Sequence, residues 1–140
     1  MAKSGPIILI DDDSDDKQFL AEALKELNIP NKVINFGDTQ KALDFLKTTR
    51  ESPFIILSDV NMPRLNGIEF KRKIDSDPQL RSKSIPFVFF STVADKQAVD
   101  IAYKEMTVQG FFQKPNTFPE LIKIISIIMD YWKICWEPNT

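Results

Sequence analysis

Five short apolar runs divide the chain: Ile7 to Ile10, Val33 to Phe36, Phe54 to Leu57, Phe87 to Phe90, and Phe111 to Phe112 behind Gly110. Each is strand-sized, and most do not alternate with polar residues, the pattern of strands covered on both faces. Between the runs, apolar residues recur at helical spacing. Leu20, Ala23, Leu24 and Leu27 fall in register within a helix over about 15–28, and further helices are predicted over about 39–50, 67–75, 95–107 and 118–135. Turn-forming residues separate the elements at Asn28/Pro30/Asn31, Ser52/Pro53, Met62 to Gly67, Asp77/Pro78 and Lys114 to Asn116. Strand and helix thus alternate along the whole chain. This order predicts an α/β fold, a parallel sheet covered by helices on both faces and joined by right-handed crossovers.

A length of 140 residues suits a single domain over 1–140, with its core at about 6–135. Only one helix and a tail fit after Lys114, so no output domain is expected, and any signal must leave through the domain's own surface. Hydrophobic residues at 43% and charged residues at 27% exclude a disordered, collagenous or disulfide-built chain. Eighteen Lys and Arg against twenty Asp and Glu leave a net charge of −2, which provides no electrostatic footprint for nucleic acid or an anionic membrane. No apolar run approaches the roughly 18 residues of a membrane span. The opening MAKSGPIILIDDD has no signal-peptide pattern, and a cytoplasmic location is expected. The single cysteine, Cys135, cannot form an internal disulfide, and the absence of histidine removes the commonest general base and metal ligand. Chemistry on this chain must use carboxylates, hydroxyls and amines.

In an open α/β sheet, ligands bind outside the carboxyl ends of the strands, so the residues after each apolar run are the ones to read. The first run ends in Asp11, Asp12 and Asp13, and the third passes through Ser58 to Asp59. The fourth ends in Ser91 and Thr92, and the fifth leads to Gln113 and Lys114. Crowded carboxylates repel unless neutralised, and oxygen-only ligands at a sheet rim favour Mg²⁺. Beside such a cation an ionised aspartate can attack phosphorus, while Ser91 and Lys114 hold the phosphoryl oxygens.

The segments IILIDDD, ILSDVNMPRLNG, PFVFFST and GFFQKP resemble, in order and spacing, the four signature segments of bacterial response-regulator receiver domains of the CheY-like kind. The resemblance covers essentially the whole chain. It implies a flavodoxin-like doubly wound sheet of five parallel strands in the order 2-1-3-4-5. It also implies that Asp59 is the phosphoacceptor, that Asp12, Asp59 and the backbone carbonyl of Asn61 ligate Mg²⁺, and that Asp11 acts through a bound water. Ser91 and Lys114 would contact the phosphoryl group, and a cis Lys114–Pro115 bond would aim the amine inward. Ser91 and Phe111 would form the switch, with Phe111 turning inward as Ser91 moves. The implied partners are a sensor histidine kinase or histidine phosphotransfer protein, acting in trans, and a downstream protein. Two departures stand out: Thr92 takes a position where the family often has Ala or Gly and narrows access to Asp59, and Phe111 lacks the hydroxyl of the tyrosine found in some relatives.

Other readings of the same residues fit less well. Asp11, Asp13, Asp15 and Glu22 match calcium-loop positions of an EF-hand, but Asp16 stands where that loop needs glycine and a strand precedes it. Asp13, Ser14, Asp15 and Asp16 read as helix capping and solvated charge. Aspartyl-nucleophile phosphatases place their nucleophile on the first strand, whereas here the acidic pair comes first. Only self-catalysed phosphoryl transfer and slow self-hydrolysis are expected, not turnover of a separate substrate. The alternative is a phosphorylation-independent interaction module of the same fold.

The output face is expected at the fourth helix (95–107), the fifth strand and the last helix (118–135). On that last helix Lys123, Ser126, Asp130, Lys133 and Glu137 fall in an arc of roughly 80°. Leu121, Ile125, Ile128 and Trp132 suffice to cover the sheet. Ile124, Ile127, Tyr131 and Ile134, with Trp136 beyond, form an apolar flank suited to a homodimer or a partner.

Overall fold

The computed structural model describes residues 2–62, 65–92, 96–106 and 108–136. After a 3-10 turn at Ala2–Ser4, the elements are β1 (Ile7–Ile10), α1 (Ser14–Glu26), β2 (Val33–Phe36), α2 (Thr39–Thr48), β3 (Ile55–Ser58), α3 (Gly67–Ser76), α4 (Pro78–Ser82), β4 (Phe87–Ser91), α5 (Lys96–Glu105), β5 (Gly110–Gln113) and α6 (Phe118–Ile134). The strands form one parallel sheet in the order β2-β1-β3-β4-β5. This is the flavodoxin-like order, in which the strand sequence reverses between β1 and β3.

The pleat sorts the apolar runs into two cores. Ile8, Ile10, Ile56, Phe87 and Phe89 face α2 to α5, packing with Leu43, Phe70, Leu80 and Ala102. Ile7, Leu9, Ile55, Leu57, Val88 and Phe90 face α1 and α6, packing with Leu20, Leu24, Leu121 and Ile125. Each large side chain so buried contributes roughly 1.5–3 kcal/mol. The three inner strands are buried along their length, whereas β2 and β5, which lack a neighbour on one side, are only half-covered.

Of the boundaries that differ from those read in the sequence, two have a local cause in the backbone. The first helix stops at Glu26 rather than about residue 28, because Asn28 takes a left-handed backbone (φ 55°) and its N–H bonds to Lys25. Asp77/Pro78 is not a plain turn. Asp77 ends α3 and also caps α4, its carboxylate accepting from the N–H groups of Gln79 and Leu80, while Pro78 has the φ that suits a first helical position. The predicted fourth and fifth helices are therefore α5 and α6. Asp95 and Thr107, the predicted ends of the former, and Glu137, the last residue of the polar arc, lie outside the described residues.

On α6, Leu121, Ile125 and Ile128 are buried as expected, together with Met129, which the wheel did not assign to the sheet. Trp132 is only half-buried, and Ile124 packs on the core instead of lying free. Ile127, Tyr131, Ile134 and Trp136 are exposed. Among the described residues no helix is long and apolar enough to cross a membrane.

Candidate functional site

Ladder hydrogen bonds run one residue past the strand ends and place the polar side chains at one rim. The Asp11 N–H donates to the Phe36 carbonyl (3.0 Å), the Asp59 N–H to the Ile10 carbonyl (2.9 Å), and the Lys114 N–H to the Ser91 carbonyl (2.7 Å). Asp59 is thereby held beside Asp11, and Lys114 beside Ser91. Ser58, buried at the end of β3, donates its hydroxyl to the Asp59 carbonyl at 2.9 Å and steadies the backbone there.

Asp59 itself is buried, and its two oxygens have different surroundings. Oδ1 accepts from the Ser91 hydroxyl (2.9 Å) and the Asn61 N–H (3.1 Å), which occupies both of its lone-pair directions. Among the described residues, Oδ2 accepts only from the Lys114 ammonium, at 3.1 Å. Lys114 also donates to Asp11 Oδ2 at 2.5 Å and to Asp16 Oδ2 at 2.8 Å. Among the described residues no peptide bond is cis, so the expected cis Lys114–Pro115 bond is not present. The amine reaches the rim without it because the backbone bond to Ser91 already sets Lys114 over the carboxylates.

Burial raises the Asp11 carboxyl above its ordinary value. Hydrogen bonds from Lys114 and the Asp13 N–H, with the lysine charge, pull it back only in part, and the nearby Asp59 charge adds to the rise. For Lys114 burial works toward a lower value, but the hydrogen bonds to Asp11 and Asp16 and the charges of Asp11 and Asp59 outweigh it. The ammonium is held above the ordinary lysine range.

The predicted residues do not all converge. Asp11, Asp59, Ser91 and Lys114 meet, as expected. Asp12 is exposed and takes no part in the lysine cluster, and Asn61 approaches Asp59 through its N–H. Thr92 is exposed and lines the cavity beside Asp11 and Lys114. Phe111 is half-buried on β5, its ring 5.4 Å from that of Phe89. Among the described residues no group of three His, Cys, Asp or Glu side chains converges on a metal-sized point, and the Lys114 ammonium bridges the Asp11 and Asp59 carboxylates. The donor chemistry nonetheless fits a hard cation: Asp11 and Asp59 offer oxygens alone, sit on adjacent strand ends, and already share one positive charge.

Two participants escaped the sequence reading. Asp13 caps α1 as expected, accepting from the N–H groups of Asp15 and Asp16. Asp16, read with it as capping and solvated charge, is instead a lysine partner, because the third residue of α1 turns back over the end of β1. No local signal marks it, since an acidic residue in a first helical turn is ordinary. Tyr103 on α5 is the other: its hydroxyl accepts from the Phe111 N–H at 3.0 Å, covering the open edge of β5.

A family model described as the response regulator receiver domain matches residues 7–126. Response regulator Rcp1 of Synechocystis sp. is 30% identical over 131 residues, which cover 90% of this chain and 87% of Rcp1. Among solved structures, that of the phosphorylated cyanobacterial phytochrome response regulator RcpA has a TM-score of 0.83 at 26% identity, covering 97% of this chain and 99% of its own. The Mn²⁺-bound form of response regulator Rcp1 has a TM-score of 0.82 at 26% identity, covering 96% and 99%. With the family matched over all five strands, and the carboxylates, hydroxyl and amine gathered at one rim, the chain belongs to the response regulator receiver domains.

Proposed function

We propose that Asp59 accepts a phosphoryl group from a phosphohistidine on a sensor histidine kinase or histidine phosphotransfer protein, and that the chain signals by the resulting change of surface. The observation that carries this reading is the asymmetric fixing of Asp59: Ser91 and Asn61 pin Oδ1, while among the described residues Oδ2 has Lys114 as its one donor and so keeps a lone pair. In the transfer, Oδ2 attacks phosphorus, the new P–O bond forms as the donor's P–N bond breaks, and the electron pair leaves with the imidazole nitrogen. Lys114 then has a phosphoryl oxygen to contact in place of Oδ2. Thr92 borders the approach and slows it.

Asp11, Asp12, Asp59 and the Asn61 carbonyl would hold Mg²⁺, a reading supported by the oxygen-only donors and by the Mn²⁺-bound form of the relative Rcp1. Bound there, the cation supplies positive charge that offsets repulsion between the carboxylates and the phosphoryl oxygens. Asp12 must turn inward from its exposed position to take part.

The readout follows from Ser91. Moving its hydroxyl from Asp59 to the phosphoryl group vacates space at the end of β4, and Phe111, in contact with Phe89, can turn in. That couples the site to the face of α5, β5 and α6, where Ile127 and Tyr131 would dock a partner or a second copy. Addition of beryllofluoride with Mg²⁺ should shift the amide resonances of Ser91, Phe111 and the α5–β5–α6 face. Shifts confined to the Asp59 rim would contradict the proposed coupling.

A further inference from the structure

An ammonium has three N–H donors, and Lys114 spends all three on carboxylates. Two of these partners, Asp11 and Asp59, belong to the phosphoacceptor site. Asp16 differs from them: its side chain is 31% exposed, against 3% for Asp11 and 9% for Asp59, so it stands on the solvent side of the amine. On that side a cavity of about 330 Å³, lined by Asp16, Phe19, Thr92, Lys114 and Asn116 among others, leaves the lysine head room to shift without backbone movement.

A divalent cation on Asp11 and Asp59 would repel the ammonium and take two of its three acceptors. Without a third, Lys114, whose side chain is only 9% exposed, would be left as a nearly buried and unpaired charge. That unfavourable state would weigh against cation binding. We propose that Asp16 is the holding partner of Lys114, keeping its ammonium hydrogen-bonded at the rim while a divalent cation occupies Asp11 and Asp59. Asp16 is then a positioning residue that acts through Lys114 and makes the exchange of ammonium for metal favourable. This rests on the metal-assisted reading above.

Titration of free Mn²⁺ by electron paramagnetic resonance tests it on the wild type, Asp16→Asn, Asp16→Glu, Lys114→Met and the Asp16→Asn/Lys114→Met double variant. Asp16→Asn is expected to weaken Mn²⁺ binding about tenfold in the wild-type background and less than about threefold in the Lys114→Met background. The smaller loss reflects the plain removal of one nearby charge. Asp16→Glu should bind within about threefold of wild type, since the carboxylate is retained. Equal weakening in both backgrounds, or none in the wild type, overturns the proposal. A second readout needs no Lys114 variant: at saturating Mg²⁺ the Lys114 Nζ proton resonance should persist in the wild type and disappear through solvent exchange in Asp16→Asn. Its persistence in Asp16→Asn also overturns the proposal. Wild-type protein that binds no Mn²⁺ at all removes the metal-assisted reading itself, and this inference with it.

Discussion

Gly67 approaches Asp59 so closely that a β-carbon added to it would fall 2.2 Å from the Asp59 carbonyl oxygen and 3.0 Å from the Val60 α-carbon. Both neighbours are backbone, so no side-chain rotation relieves the clash. The same contact carries a hydrogen bond from the Gly67 N–H to the Val60 carbonyl at 2.9 Å, which docks the start of α3 behind Asp59. Gly67→Ala should therefore displace Asp59 as well as strain the fold. We expect a loss of about 1–3 kcal/mol in urea unfolding, together with slower phosphorylation from a small-molecule donor. A wild-type unfolding midpoint in Gly67→Ala would show that the approach is not needed.

Lys114 neutralises buried carboxylates, so Lys114→Met should cost about 3 kcal/mol at neutral pH without divalent cation, as expected for one partner removed from a buried pair. Millimolar Mg²⁺ should restore part of this by binding the folded state. Destabilisation that Mg²⁺ leaves untouched would contradict a shared cation position.

The raised Asp11 carboxyl has a definite signature in pH. Because its pKa is higher folded than unfolded, its contribution to stability is fully present below the ordinary aspartate value and is lost as pH rises through the folded value. Asp11→Asn should therefore gain stability relative to wild type as pH climbs through that window. A difference that stays flat or shrinks would contradict the raised value. Lys114 is also raised, so its stabilising pairing holds through the ordinary lysine range and fails only at more alkaline pH.

The bond from the Phe111 N–H to Tyr103 ties α5 to the open edge of β5. Tyr103 is 54% exposed, so water can replace it, and Tyr103→Phe should lower stability by only about 0.5–1 kcal/mol. Hydrogen exchange at the Phe111 amide should nonetheless accelerate, and unchanged protection there would rule out the tie.

Ile127 and Tyr131 are 56% and 57% exposed, so replacing both with aspartate should leave the unfolding midpoint near wild type. If their flank docks a second copy or a partner, the double variant should lose that association in sedimentation or pull-down. Unchanged mass and unchanged partner binding would remove the flank from the proposed output face.

The sheet was legible because β1, β3 and β4 are buried on both faces and so read as unbroken apolar runs. Asp59, Ser91 and Lys114 were legible for a related reason: Ser91 follows directly on an apolar run and Asp59 and Lys114 follow one residue later, and a strand end fixes where the next side chain emerges. Short elements and long-range partners were harder. Pro78–Ser82 is a single turn whose Asp-Pro start also reads as a simple turn, so α4 was missed. Asp16 looks like every other acidic residue in a first helical turn, and only the fold brings Lys114 to it from 98 residues away. Asp12, placed by family resemblance among the metal ligands, is exposed and stands apart from the pairing of Lys114 with Asp11 and Asp59.

Intact-mass measurement after incubation with acetyl phosphate and Mg²⁺, beside Asp59→Asn and a chelator control, bears on phosphoryl acceptance most directly. The wild type should gain the mass of one phosphoryl group, and both Asp59→Asn and chelated wild type should gain none. An unmodified wild type, with beryllofluoride also leaving its spectrum unchanged, would contradict phosphoryl acceptance at Asp59 and favour a module that binds its partner independently of phosphorylation.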